Sequence, residues 1–201
     1  MRNQGFLQFS SLAPVDEKEV FRYAGGRGEA DGEVLTLLRE CIAETQSAFS
    51  YKACFAELTV DEFFARFGKC KLTEARLQGC ESAVIFAATL GIETDRRIAR
   101  YASVYTAKAL LLQALGAERI EALCDKVCET LAAEYETKGY SLGTRFSAGY
   151  GDFPLSAQTE FFQLLDCNRA LGLTLNESLL MSPSKSVTAA IGISKKVISN
   201  K

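Results

Sequence analysis

Apolar residues recur along this chain with two clear periods. Val34, Leu35, Leu37, Leu38, Cys41 and Ile42 fall at i, i+1, i+3, i+4, i+7 and i+8, which lays one apolar stripe along a helix over residues 32–48. Upstream, Asp16 followed three residues later by Glu19 has the form of a capping box. It predicts a short helix through EVFRYA that stops at Gly25 and Gly26, with GGRGEADG as the turn between the two helices. Over residues 51–67 the run YKACFAELTVDEFFARF mixes alternation with aromatic and β-branched residues and predicts a strand pair or one bent strand. SAVIFAATLG, residues 82–91, is a short apolar run before a glycine, which suits a buried central strand.

Residues 93–138 form a helical block in which Gly116 predicts a break between two helices. The second carries the stripe Ile120, Leu123, Cys124, Val127, Leu131 and Tyr135. Ser156 can cap a helix whose buried face is Phe161, Phe162, Leu164, Leu165 and Leu171 and which ends near Gly172. LTLNESLLM and SVTAAIGIS, separated by SPSK, then predict two strands with a turn between them. Strands, a helical block and more strands depart from the alternation of a doubly wound sheet. The expected class is α+β, an antiparallel β-sheet with grouped helices. The expected organisation is a single domain over residues 1–201, with an N-terminal helical segment at 1–50 and the main α+β body at 51–201.

Composition narrows the chemistry. With 201 residues, 48% of them hydrophobic and 10% aromatic, the chain can fill a sizeable core. Its 23 basic and 25 acidic residues contain no basic block, so a phosphate backbone meets no electrostatic footprint and no nucleic-acid partner is expected. MRNQGFLQFSS has no apolar h-region, and no run reaches the roughly 18–20 apolar residues that cross a bilayer, so no membrane partner and a cytoplasmic location are expected. There is no histidine, which excludes a Ser-His-Asp triad, a Cys-His pair and any histidine-containing metal site. The seven cysteines are odd in number and include no C-x-x-C pair. Cys124 and Cys128, at i,i+4, could face a common ligand, but they lie within the apolar stripe and read as core.

Few segments carry candidate binding chemistry. YAGGRG has neither the full phosphate-loop pattern nor a preceding strand and reads as a turn. ETDRRIAR opens a helix with Glu93 and Asp95 at the positive end of its dipole and reads as a solvated face. Glu121 could be a cation ligand or a surface residue. RFSAGYGDFP, residues 145–154, is different: Arg145 can grip a carboxylate bidentately, Gly149 allows close backbone approach, and Tyr150 offers a π-face to a cation. Together they suit a zwitterion with a positive centre. On these residues alone a glycine turn beside a structural aromatic remains the favoured reading.

The order Arg145-x-x-x-Gly149-Tyr150, Pro154, an amphipathic helix and LTLNESLLMSPSKSV resembles the activation domain of cobalamin-dependent methionine synthase. EVFRYAGGRG, LQGCESAVIFAATLG, ETDRRIARY and LLQALGAERIEALCD are similar, in matching order, to segments of free-standing, single-domain members of that family. The resemblance implies an antiparallel sheet with grouped helices and S-adenosylmethionine as ligand. It carries ligand contacts to Arg145, Ala148, Gly149 and Tyr150 and, with a one-residue shift, to Glu121. It implies no catalytic side chain and no metal held by the chain itself, because the cobalt of cobalamin on a partner protein is the nucleophile. The implied partners are a cobalamin-binding methionine synthase subunit and flavodoxin or another reductant, with the chain reactivating cob(II)alamin in a split enzyme. A docking or reactivation module for another corrinoid methyltransferase, without methyl-donor binding, is the alternative. The family's early aspartate and its aromatic residues beyond the S-V-x strand find no match here.

Overall fold

The structure, a computed structural model, describes residues 3–27 and 30–196. In chain order the elements are β1 (Gln4–Phe9), α1 (Glu17–Tyr23), α2 (Gly32–Thr45), β2 (Tyr51–Thr59), α3 (Val60–Phe67), α4 (Lys71–Leu77), β3 (Ser82–Thr89), α5 (Glu93–Tyr101) and α6 (Thr106–Thr137). They continue with β4 (Tyr140–Leu142), a 3-10 turn (Leu155–Ala157), α7 (Gln158–Leu165), α8 (Cys167–Leu171), β5 (Thr174–Leu175), β6 (Met181–Ser182) and β7 (Ser186–Lys195). Five strands form one sheet in the order β1-β2-β3-β7-β4, and every pairing is antiparallel. The α+β class expected from the pattern is the class observed.

SAVIFAAT lacks polar alternation because β3 is buried at every position, with a layer on each face of the sheet. One face, with Val84, Phe86, Ala189 and Ile191, packs against the α6 stripe from Ile120 to Tyr135. The other, with Ile85, Ala87 and Ala190, packs against a phenylalanine cluster. There Phe63 stacks on Phe67 with centroids 4.5 Å apart, and Phe67 meets Phe161 at 4.7 Å. A third cluster joins Val20 of α1, Leu38 and Cys41 of α2, and Leu111, Leu112 and Leu115 of α6. The buried Glu118–Arg119 pair holds the incoming chain to α6. Arg119 donates to the carbonyls of Ala13 (2.6 Å) and Pro14 (3.3 Å), and Glu118 accepts from the Asp16 amide (3.2 Å).

Several boundaries differ from the sequence reading. The run 51–67 is a strand followed by a helix, because Thr59 and Glu62 form a complete capping box that starts α3. No break occurs at Gly116, and α6 continues for 32 residues. A helical glycine costs about 1 kcal/mol relative to alanine, less than the roughly 1.5–3 kcal/mol from burying each large apolar side chain of the stripe. This glycine instead permits close approach, since a Cβ there would lie 2.9 Å from Lys185 Cε. Ser156 is not a cap: it lies in the 3-10 turn, and α7 begins beyond it without a side-chain cap. Asp166, in the left-handed region at φ 46°, then divides α7 from α8. LTLNESLLM is a small hairpin, β5 with β6, rather than one strand. The segment 1–50 is not wholly helical, for β1 pairs with β2 through Phe6 opposite Cys54 and turns Leu7 and Phe9 toward the α6 face.

Gly192 on β7 lies directly beneath α4, where a Cβ would meet the Arg76 carbonyl oxygen at 2.9 Å and Cys80 Sγ at 2.6 Å. The carbonyl is backbone and cannot swing aside. Gly192→Ala is expected to destabilise the fold by about 1–3 kcal/mol through overpacking. A urea denaturation midpoint equal to that of the unsubstituted protein would contradict this account.

Candidate functional site

After β4 the chain runs beside β7 to Phe146, which exchanges two backbone hydrogen bonds with Ala190: Phe146 N–H donates at 2.9 Å and Ala190 N–H at 2.8 Å. It then leaves the strand and turns back. Tyr150 N–H reaches the Ser147 carbonyl at 3.3 Å, Gly149 N–H the Phe153 carbonyl at 2.8 Å, and Phe153 N–H the Tyr150 carbonyl at 3.0 Å. Gly149 and Gly151 take φ of 89° and 56°, values that favour glycine. Buried Phe146 and Phe153 join the phenylalanine cluster on either side of this turn. The Asp152 carboxylate fastens the turn to α4 by accepting from Lys71 N–H (2.8 Å) and Leu72 N–H (3.0 Å). RFSAGYGDFP is thus a rigid turn, and the wedge between it and β7 is open.

That wedge is a cleft of about 550 Å³, within the size range of small-molecule sites. Ser147 and Ala148 line one wall and Ser186, Val187 and Thr188 of β7 the other, with Glu121, Arg145, Tyr150 and Gln158 around them. The Ala148 side chain is buried, and its N–H makes no hydrogen bond among the described residues. At the α6 end the Arg145 guanidinium pairs with Glu121 and lies 3.4 Å from Asp125. Arg145 beside Glu121 and Asp125, with Arg76 also on the lining, gives the cleft charges of both signs, donors and acceptors for a zwitterion. Burial pushes the thiols of Cys124 and Cys128, on the same helix, up to about 12 and about 11, against the opposing pull of Arg145. They are neutral at physiological pH and act as core.

Of the five residues singled out in the sequence, Glu121, Arg145, Ala148 and Tyr150 line this cleft. Tyr150 stands at its mouth, 69% exposed. Gly149 does not line it. Its N–H is committed to Phe153, and a Cβ there would approach Leu155 Cδ1 at 3.2 Å, so this glycine makes the turn and the open amide is its neighbour's. Sequence reasoning missed Leu72, Arg76, Gln158, Met181 and Thr188, which also line the cleft. Met181 lies within LTLNESLLMSPSKSV, which gave it no role, and no motif marks the others, because they reach the cleft from α4, α7 and β7.

Two comparisons bear on this geometry. Residues 74–197 match the family model described as "Vitamin B12 dependent methionine synthase, activation domain". The chain belongs to that family. The match runs from α4 through β7 and includes every residue of the cleft except Leu72. The fold agrees with a solved structure, "Crystal Structure of the MetH Reactivation Domain bound to AdoHcy". The superposition has a TM-score of 0.68 at 15% identity and covers 94% of this activation domain and 78% of that chain. No curated protein matches the sequence. Among the described residues of this activation domain, no helix is long and apolar enough to cross a membrane.

Hydrogen bonds from Leu72 and Lys71 hold the Asp152 carboxyl below its ordinary value of 3.8. A depressed carboxyl stabilises the fold above its unfolded pKa, and that contribution is lost as the pH falls through the folded value. Asp152→Ala is therefore expected to lower the melting temperature at pH 7, with the two proteins converging as the pH drops below the carboxylate range. A difference that persists undiminished at pH 2 would show that the Asp152 charge is not what fastens the turn.

Proposed function

We propose that this activation domain binds S-adenosylmethionine in the cleft and supports reductive methylation of cob(II)alamin held by a partner protein, as the reactivation component of a cobalamin-dependent methionine synthase. The observation that carries the reading is the wedge itself: the R-x-x-x-G-Y turn opens beside β7 and joins Arg145, Glu121 and the free Ala148 N–H in one cleft. The structurally similar MetH domain is bound to AdoHcy, the demethylated counterpart of this donor. In the reaction one electron from a reductant, such as a reduced flavodoxin, and the sulfonium methyl of S-adenosylmethionine convert cob(II)alamin to methylcobalamin and release S-adenosylhomocysteine.

The chain needs no acid, base or nucleophile for this step. Its contribution is to bind the donor and hold the methyl toward the partner, a matter of proximity and orientation. Arg145 holds the methionine carboxylate, and Glu121 with Asp125 balances the ammonium and sulfonium charges. Ala148 N–H donates to the ligand from the turn, and Tyr150 shapes the mouth from which the methyl leaves. Engagement of Arg145 by two carboxylates favours one other reading, a docking module that contacts a corrinoid protein without taking the methyl donor.

S-adenosylmethionine is expected to raise the melting temperature of the protein, and Arg145→Ala to abolish the rise. No shift at millimolar ligand, together with capture of a cobalamin protein, would establish the docking reading instead. With a cob(II)alamin-loaded partner, a reductant and S-adenosylmethionine, the methylcobalamin spectrum is expected to appear only when this protein is present.

A further inference from the structure

Where β7 loses its neighbour, its backbone becomes available. Ala190 exchanges both of its hydrogen bonds with Phe146, so in an antiparallel ladder the N–H and C=O of Thr188 and Ser186, two and four residues away, point to the same edge. The turn has left that edge, and the groups open on the cleft. The same alternation orients the side chains. Val187 packs on the α6 side of the sheet and Ala190 on the α7 side, so Ser186 and Thr188 share the α7 side. A ligand lying across this edge has Glu121 and Arg145 at one end and α7 at the other.

At the α7 end stands Gln158, the first residue of that helix. It lines the cleft and is only 7% exposed, and its Oε1 has no hydrogen-bond partner among the described residues. Buried amide oxygens are ordinarily paired, and leaving one unpaired is costly. In the reading proposed above, Arg145 with the acidic pair on α6 meets the amino-acid end of S-adenosylmethionine. The uncharged adenosyl half, with N–H and O–H donors on adenine and ribose, then falls toward α7. We propose that Gln158 is a specificity-determining residue whose Oε1 accepts a hydrogen bond from the adenosyl half of the ligand. This inference rests on the reading that S-adenosylmethionine occupies the cleft.

Titration calorimetry of the wild-type protein and of Gln158→Met, a near-isosteric change that removes the acceptor, tests it with two ligands. These are S-adenosylmethionine and 5′-methylthioadenosine, which lacks the amino-acid end. Gln158→Met is expected to weaken both by the same factor, about tenfold for one lost hydrogen bond. Its ligand-free melting temperature is expected to stay level or rise, because the unpaired oxygen is gone, and a purely structural residue would not combine those two effects. Glu121→Gln is expected to weaken S-adenosylmethionine and leave 5′-methylthioadenosine unchanged. If Gln158→Met fails to fold, Gln158→Leu takes its place in the same comparison. Unchanged S-adenosylmethionine affinity in a variant of a protein that binds it overturns the role of Gln158 alone. So does a loss confined to S-adenosylmethionine. If the wild-type protein binds no S-adenosylmethionine, the reading of the cleft fails and this inference falls with it.

Discussion

The whole arrangement depends on covering β3 and β7 on both faces at once. A strand without polar alternation cannot leave either face in water, and this chain supplies two unlike covers. One is the single helix α6, whose apolar stripe runs the length of the sheet. The other is assembled from α3, α7, α8 and the turn around Phe153, held together by phenylalanine rings. Each cover explains a local exception. The long stripe carries α6 through Gly116, and the need for a second cover ends β2 at the Thr59 cap so that Phe63 and Phe67 can fold back over the sheet.

The cleft lies where this covering is incomplete along one edge. β4 and Phe146 satisfy part of the outer edge of β7, and the turn at 147–151 leaves the remainder open. Open strand edges usually invite pairing with another chain. Here the edge is short, is flanked by the charged cluster of Glu121, Arg145 and Asp125, and is roofed by the fastened turn. The result is a cleft of small-molecule size, with polar backbone groups from a strand on one side and charges from a helix at one end. That division fits a molecule with a charged amino-acid end and an uncharged nucleoside end.

Legibility followed range. Elements whose signal is local were readable: the Asp16 cap of α1, the α2 stripe, the apolar run of β3 and the stop at Gly172. Thr59-x-x-Glu62 was an equally local signal, hidden beneath an aromatic run that also suits a strand. The split of α7 from α8 at Asp166 and the hairpin within LTLNESLLM had no comparable marker, since each is set by what packs against it. In the site, the charged and glycine-rich residues stood out by type. Gln158 and Thr188 did not, because an amide or a hydroxyl becomes a candidate only when its burial and its neighbours are known.

The sequence by itself determined the α+β class, the buried central strand and the absence of histidine chemistry. Residue type and short spacing encode those facts directly, and they also singled out Arg145, Gly149 and Tyr150, whereas Ala148 and Glu121 were added as ligand contacts only by the resemblance to the activation-domain family. Only the tertiary structure decided that Gly149 makes the turn while the Ala148 amide has no partner among the described residues. It alone decided that Glu121 pairs with Arg145, and that the cleft is the gap where residues 147–151 part from β7. The physical reason is distance along the chain. Glu121, Arg145, Gln158 and Thr188 span 68 positions, and only the antiparallel register of the sheet and the packing of α6 and α7 on its two faces bring them to one edge.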